Sequence, residues 1–525
     1  MSSQTSQAPL YDDMIHVSSR PDIRLLQFLP CKNTVKHARF RLIKTSLQDA
    51  PPFTALSYVW GDPRKAEAVT VNNIRVPVTI NLINALSHIE YLFDTIDTSS
   101  NGSFLWVDAL CINQEDLNEK GHQVALMGNI YRSATRVVAW LGEEDEYTEL
   151  AIRIIEEIGA AMPPDFTLGG VPSVDWLGAL PHVWSRGEDV PDEVFNRPLE
   201  AVENFMKRPY WSRSWIVQEI VLAREDPVFM IGKMVLKYPV LERLMFLWDG
   251  ILESSVIPYE SRLAILSALS PRGSSLSSIY WLRNVVRKDS GGIGRMRHDW
   301  PQGILQMAAD GMLATDPRDS IFAFYGLGLT SLVPDYTASV GFIYSAFAKE
   351  AIQLGLCSQV WQYSGIELTR KTEKSPYSLP SWVPDLPSIA HLHDTVPPLF
   401  SQNFIANKGL DSRRLDIDDN SHLLCSGYSV DSVSKLFERQ IDAKVFIKGI
   451  ITELESSWYH QNSKTPRTPV STLLRTILVD CANMAERKRL MDDKSPFIQY
   501  CVEFLRIFAQ KDGDFKSQGP IALPG

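Results

Sequence analysis

The stretch Trp211-Ser-Arg-Ser-Trp-Ile-Val-Gln-Glu-Ile-Val-Leu-Ala223 carries the residue types best suited to chemistry. Read as a helix, Trp211, Trp215 and Glu219 are four apart and share one stripe, while Ile216, Val217, Ile220 and Val221 supply core-facing positions. A carboxylate one turn from two indoles lies in a partly dry place. Such a group is pushed toward its protonated form, or it holds a hydroxyl or a cation. Gln218 adds a donor and an acceptor beside it. The competing reading is an ordinary amphipathic helix with Glu219 paired to Arg208, Arg213 or Arg224.

A second polar set lies upstream, in Leu105-Trp-Val-Asp-Ala-Leu-Cys-Ile-Asn-Gln114. As a strand over Leu105–Ile112, it places Asp108 on one face with Trp106 and Leu110. A carboxylate within so apolar a strand is costly unless it is paired or hydrogen-bonded. Asn113 and Gln114 follow at the carboxyl end, where ligands bind in open α/β sheets. Trp60-Gly61-Asp62 ends a neighbouring strand in the same way. The plainer alternative is that Asp108 satisfies local backbone, Asn113 caps the next helix and Gly61 only turns the chain; on balance Asp108 and Gly61 read as structural.

The elements that must position these groups follow from pattern. Short strands are expected at 23–29 and 38–43, and a stronger one at 53–60. A hairpin over 69–78 turns at Asn72-Asn73, which tolerate positive φ. A helix over 81–93 starts from Asn81 as N-cap. A helix to Ala134 buries Val124, Met127, Ile130 and Tyr131, and a strand begins at Arg136; strand–helix–strand implies a parallel pair. Helices are expected near 148–161, 199–224 and 336–353, with an irregular insertion at 163–197. The span 225–340 reads as mainly helical, broken at 270–278 and 290–294. Beyond it come a proline-rich stretch at 375–400, short strands near 423–430 and 443–447, and helices near 470–492 and 496–509.

Composition bounds the function classes. The chain has 525 residues, 45% apolar and 22% charged, which is ordinary globular usage. With 52 basic against 62 acidic residues, the net charge of −10 speaks against nucleic acid as the main partner. Six scattered cysteines without C-x-x-C spacing read as free thiols in a reducing compartment, and His391-x-His393 lacks the companions of a zinc site. The N-terminus has no secretory h-region, and no apolar run is long enough to span a membrane, so an intracellular, cytoplasmic protein is expected. There is no G-x-x-x-x-G-K-[ST] loop, G-x-S-x-G elbow or H-E-x-x-H, which removes support from P-loop, serine-hydrolase and zincin readings.

Six blocks in series resemble the fungal heterokaryon incompatibility (HET) domain: Ala55–Asp62, Asn81–Leu86, Leu105–Gln114, Gln123–Tyr131, Val137–Gly142 and Arg213–Glu219. Thr315-Asp-Pro-Arg-Asp-Ser-Ile-Phe-Ala-Phe-Tyr-Gly-Leu327, Val333–Thr337 and Leu379–Asp385 look like segments that commonly follow it. The resemblance covers about 55–225 and, with the pattern on either side, divides the chain into a tail with short strands at 1–50, a HET domain at 51–225 and a mostly helical remainder with a few short strands at 226–525. It implies an α/β fold with a TIR/flavodoxin-like parallel sheet flanked by helices, and a role in non-self recognition and regulated cell death. Trp215-x-x-x-Glu219 is similar to a pattern in part of the TIR group, some of whose members cleave NAD at the nicotinamide–ribose bond. By that analogy Glu219 is the catalytic carboxylate. Trp215 stacks on a flat ring and Tyr58 or Trp60 walls the pocket. Asn113, Gln114 and Gln218 bind polar parts, and Arg132 or Arg213 meets phosphate. NAD is then a substrate, with no permanently bound cofactor and no metal. The expected partners are a second copy or an upstream sensor protein. The rival readings are a non-enzymatic signalling module and an accessory protein of a fungal pathway.

Overall fold

The computed structural model describes most of residues 21–390, with residues 10–11, 416–417 and 423–424; the longest intervals outside the description are 164–173, 185–196, 289–299, 365–375, 391–415 and 425–525. The expected strands at 443–447 and helices near 470–492 and 496–509 lie outside the described residues, as do His391 and His393. The chain divides into two units, 1–395 with 419–422, and 396–418 with 423–525. Within the second, Asp416–Ile417 and Leu423–Leu424 pair as antiparallel strands.

The first unit is built on one nine-stranded sheet. In chain order its first elements are β1 (Asp22–Leu29), β2 (Arg39–Ser46), β3 (Phe53–Tyr58), β4 (Ala66–Val71), β5 (Ile74–Thr79), α1 (Ile80–Ile96) and β6 (Phe104–Trp106). Then come α2 (Asp108–Cys111), α3 (Leu117–Ser133), β7 (Arg136–Trp140), α4 (Thr148–Ala161), α5 (Pro181–Trp184), α6 (Arg197–Met206) and α7 (Ile216–Val221). The sheet closes with β8 (Val228–Ile231) and β9 (Met234–Lys237). Helices α8 (Tyr238–Gly250), α9 (Tyr259–Leu269), α10 (Gly273–Lys288), α11 (Trp300–Ala309), α12 (Asp319–Phe322), α13 (Val340–Gln353) and α14 (Leu386–Ala390) follow.

The strand order is β5-β4-β2-β1-β6-β3-β7-β8-β9. Strands β6, β3, β7 and β8 run parallel and form the centre, while β1, β2, β9 and the β4–β5 hairpin add antiparallel pairings. The fold is therefore α/β, as expected, with a mixed rather than wholly parallel sheet. All six residues of β3 are buried, which is why this strand reads as a continuous run without alternation: both its faces are covered. The hairpin turns where expected, with φ of 49° at Asn72 and 64° at Asn73.

Four local expectations are corrected. The strand expected over Leu105–Ile112 stops at Trp106, because Cys111 N donates to Val107 O at 2.8 Å and closes a helical turn. Asn81 is not an N-cap: α1 begins at Ile80, and the Asn81 side chain instead donates to Val59 O and accepts from Trp140 Nε1. The helix expected at 199–224 breaks at Pro209 into α6, a 3-10 turn at Pro209–Ser212 and α7; proline has no N–H for the helical ladder. Within 225–340 the β8–β9 hairpin was not foreseen, and α10 runs through Ser274–Ser278, where a break was expected.

Helix α3 ties the sheet to the following chain. Asp116 caps it, accepting from Asn118 N and Glu119 N. The buried Glu119 receives Arg24 of β1 in a fork, at 2.6 and 3.0 Å, and Asn113 N at 2.8 Å. On another side of α3 the backbone of residue 326 comes in close. A Cβ on Gly128 would stand 2.7 Å from Gly326 Cα, and one on Gly121 would stand 2.8 Å from Pro334 O. Gly128→Ala should therefore cost about 1–3 kcal/mol in urea unfolding, since backbone must yield. Unchanged stability would mean that 326 is not held against α3.

Candidate functional site

Three pieces of chain meet at the carboxyl ends of the parallel strands. Strand β3 delivers Ser57 and Tyr58, α2 delivers Asp108 directly after β6, and α7 with the loop before it delivers Arg213 and Glu219. Glu219 is 2% exposed. Its Oε2 accepts a short hydrogen bond from Ser57 Oγ and a longer one, 3.4 Å, from Arg213 Nη1. Ser57 Oγ also lies 2.7 Å from the Tyr210 hydroxyl. The Tyr131 hydroxyl reaches in from α3, donates to Leu56 O at 3.0 Å and faces Glu219. Asp108 accepts from Trp60 Nε1 at 2.7 Å and from Ala109 N at 2.7 Å, with Tyr58 against it.

One guanidinium thus serves two carboxylates in a low-dielectric place. Burial pushes Glu219 upward, and Arg213 and then the Ser57 hydroxyl pull it part of the way back. Asp108 is raised by burial against Arg213 and the Trp60 N–H. Burial alone would lower Arg213, but Glu219 and Asp108 outweigh it and hold it above its ordinary value. Tyr58, Tyr131 and Tyr210 are all driven upward, first by burial and then by the neighbouring carboxylates, so they remain neutral donors. With both carboxylates ionised the cluster carries an excess negative charge, which a proton or a cationic group would neutralise. Arg213, 16% exposed, and Trp60, 40% exposed, form its solvent side.

The sequence candidates separate into those at this cluster and those elsewhere. Glu219, Tyr58, Trp60, Asp108 and Arg213 come together. Gly61, with φ of +83°, turns the chain directly after Trp60, and a Cβ there would press on Asn81. Gln114 Nε2 donates to Asp108 O at 3.1 Å, and Asn113 Oδ1 accepts from Glu115 N at 3.2 Å, so both amides brace the α2–α3 turn. Arg132 turns to Gly326 O and Asn129 on the face of α3 covered by the later chain. Gln218 is buried against Gly326, and neither of its amide atoms finds a partner among the described residues. The Trp211 stripe does not form, because Trp211 lies in the 3-10 turn, wholly buried, donating to Phe205 O. Trp215 Nε1 donates to Asp319 Oδ2 at 3.1 Å.

Ser57, Tyr131, Tyr210 and Asp319 were not singled out from sequence as site residues. A signal existed for Ser57, a small hydroxyl residue next to the end of the fully buried strand Phe53–Tyr58. None existed for Asp319, a hundred positions from Trp215. Among the described residues no cluster of three or more His, Cys, Asp or Glu could hold a metal. Cys111 is buried and its thiol is pushed up to about 12 by burial; the other cysteines lie outside the described residues. No helix among the described residues is long and apolar enough to cross a membrane.

Burial pushes Asp319 up to about 6, against the Tyr336 and Trp215 donors. Its folded-state value exceeds the unfolded one, so its favourable contribution is present below about pH 4 and fades as pH rises through 6. The total is about 3 kcal/mol. In urea unfolding across pH 4–7, Asp319→Asn should flatten that part of the stability profile relative to the unsubstituted chain. Parallel profiles would show that Asp319 does not titrate in this window.

Residues 53–219 match the family described as heterokaryon incompatibility protein (HET). The chain is similar to heterokaryon incompatibility protein 6, OR allele, of Neurospora crassa, with 25% identity over 417 residues. The alignment covers 71% of this chain and 59% of that protein. No solved structure matches.

Proposed function

We propose, from the match of residues 53–219 to the heterokaryon incompatibility (HET) family and the similarity to a heterokaryon incompatibility protein, that the chain acts in non-self recognition between fused fungal cells and promotes death of the mixed cell. We further propose that the domain does so by cleaving NAD at the nicotinamide–ribose bond, with Glu219 as the catalytic carboxylate. A second copy of the chain or an upstream sensor protein is the natural trigger. The TIR-like kinship belongs to the same proposal.

The observation that carries the reading is the placement of Glu219. It is a buried carboxylate at the carboxyl ends of parallel strands, where ligands of α/β sheets bind, beside an indole that is 40% exposed. Breaking the bond between ribose C1′ and the pyridinium nitrogen sends the bonding pair to nicotinamide, which leaves neutral. The ribose becomes oxocarbenium-like and needs an anion beside it. Water then adds at C1′ and releases a proton, giving ADP-ribose. A site with two carboxylates and one guanidinium favours both the cationic ring and the cationic transition state.

The closed geometry favours a second reading. Glu219 is already engaged by Ser57 and Arg213, as in a module that only self-associates or docks a partner. Incubation of the purified chain with NAD, dilute and crowded, separates the two. Nicotinamide and ADP-ribose should appear, and Glu219→Gln, which keeps the shape, should lower turnover by about 100-fold or more. No turnover in any assembly state would sink the enzymatic reading.

A further inference from the structure

The loop that carries Arg213 to Glu219 is held from outside the family-matched region. Ser214 N donates to Leu313 O at 2.9 Å, and Leu313 N donates to Ser212 O at 2.6 Å. Arg213 and Leu313 pair as a parallel bridge. One residue on, Trp215 Nε1 reaches Asp319 Oδ2. Asp319 is itself fixed on its other oxygen by the Tyr336 hydroxyl, at 2.5 Å.

Tyr336 is clamped in turn. Arg318 donates to the carbonyls of Tyr336 and Ala338 and forks onto Asp316. The Lys120 ammonium of α3 stands 4.2 Å from the Tyr336 ring centre. The groups around Asp319 are thus Trp215, Tyr336, Asp316, Arg318 and Lys120. A buried acceptor with two donors aimed at it is costly to disturb, because each donor left behind loses its partner. These contacts fall on the loop at 212–215 and on α3.

We propose that Asp319 is a positioning residue of the Glu219 site: by holding Trp215, while Leu313 holds Ser214, it fixes Arg213 against Glu219 and keeps the carboxylate closed. Residues 312–336 are then a latch on the site. Release of Trp215 frees the 212–215 loop, lets Arg213 leave and opens Glu219 to solvent and ligand. The structural part rests on the Trp215–Asp319 and Ser214–Leu313 hydrogen bonds and the Arg213–Glu219 ion pair; its consequence for turnover rests on the reading of Glu219 as catalytic.

The test uses the full chain, with Asp319→Ala and Trp215→Phe beside the unsubstituted protein. Amide hydrogen exchange is followed by mass spectrometry, and carbodiimide-driven labelling reports the accessibility of the Glu219 carboxyl. In both variants, exchange at Ser214 and Leu313 should rise at least about tenfold, with Glu219 labelling rising in step. Exchange in β3 and β7 should stay unchanged. Unchanged protection of Ser214 and unchanged labelling of Glu219 would overturn the latch. If Asp319→Ala loosens β3 as well, Trp215→Phe decides, since it removes the indole donor while keeping a smaller aromatic ring and leaving Asp319 in place. An opened Glu219 without NAD turnover would leave the latch standing and count against the enzymatic reading.

Discussion

Taking the Glu219 carboxylate out of water is the constraint around which this part of the molecule is arranged. An isolated buried carboxylate is too costly to keep ionised, and three kinds of compensation surround it. Ser57 supplies a hydroxyl donor from the sheet, Arg213 supplies charge from the loop, and Tyr131 and Tyr210 supply neutral phenols. Asp108 draws on the same guanidinium. The compensation is incomplete, and both carboxylates remain above their ordinary range.

The fold makes this economical because one end of the sheet gathers all the parts. The parallel centre β6-β3-β7-β8 brings the ends of β3 and β6 side by side. Asn81 links Val59 to Trp140 and so ties the ends of β3 and β7. At the start of α3, the Arg24–Glu119 pair fastens the α2–α3 turn to β1 through Asn113 N. Truncating one member of such a buried pair typically costs several kcal/mol, so the rim of the site is anchored by a second charge pair that does no chemistry itself. The sheet that holds the site runs from Asp22 to Lys237, wider than the matched span 53–219.

What could be read from the chain follows from the range of each interaction. The Asn72-Asn73 turn, the extent of α4 and the buried face of α3 depend on neighbours in sequence, and pattern reveals them. Val124, Met127, Ile130 and Tyr131 are all buried, as their spacing requires. The break at Pro209 was also local, but the apolar spacing on either side of it concealed two separate helices. Asp108 was placed in a strand because its neighbours alternate; its carboxylate and the Cys111 N–H instead support a helical turn. The pairings of Glu219 with Ser57, 162 positions away, and of Trp215 with Asp319, 104 positions away, are set by tertiary packing. No local pattern encodes them, although Glu219 itself stood out by its apolar neighbours.

We propose that the Glu219 carboxylate, raised above its ordinary value by burial, takes a cationic ring as its complement. Infrared difference spectroscopy of the unsubstituted chain minus Glu219→Gln isolates this one carboxyl, and its protonation can be followed against pH with and without NAD. The expected result is a midpoint above the ordinary glutamate range in the free protein that moves downward when NAD binds. A midpoint in the ordinary range, or one that NAD leaves in place, would contradict it.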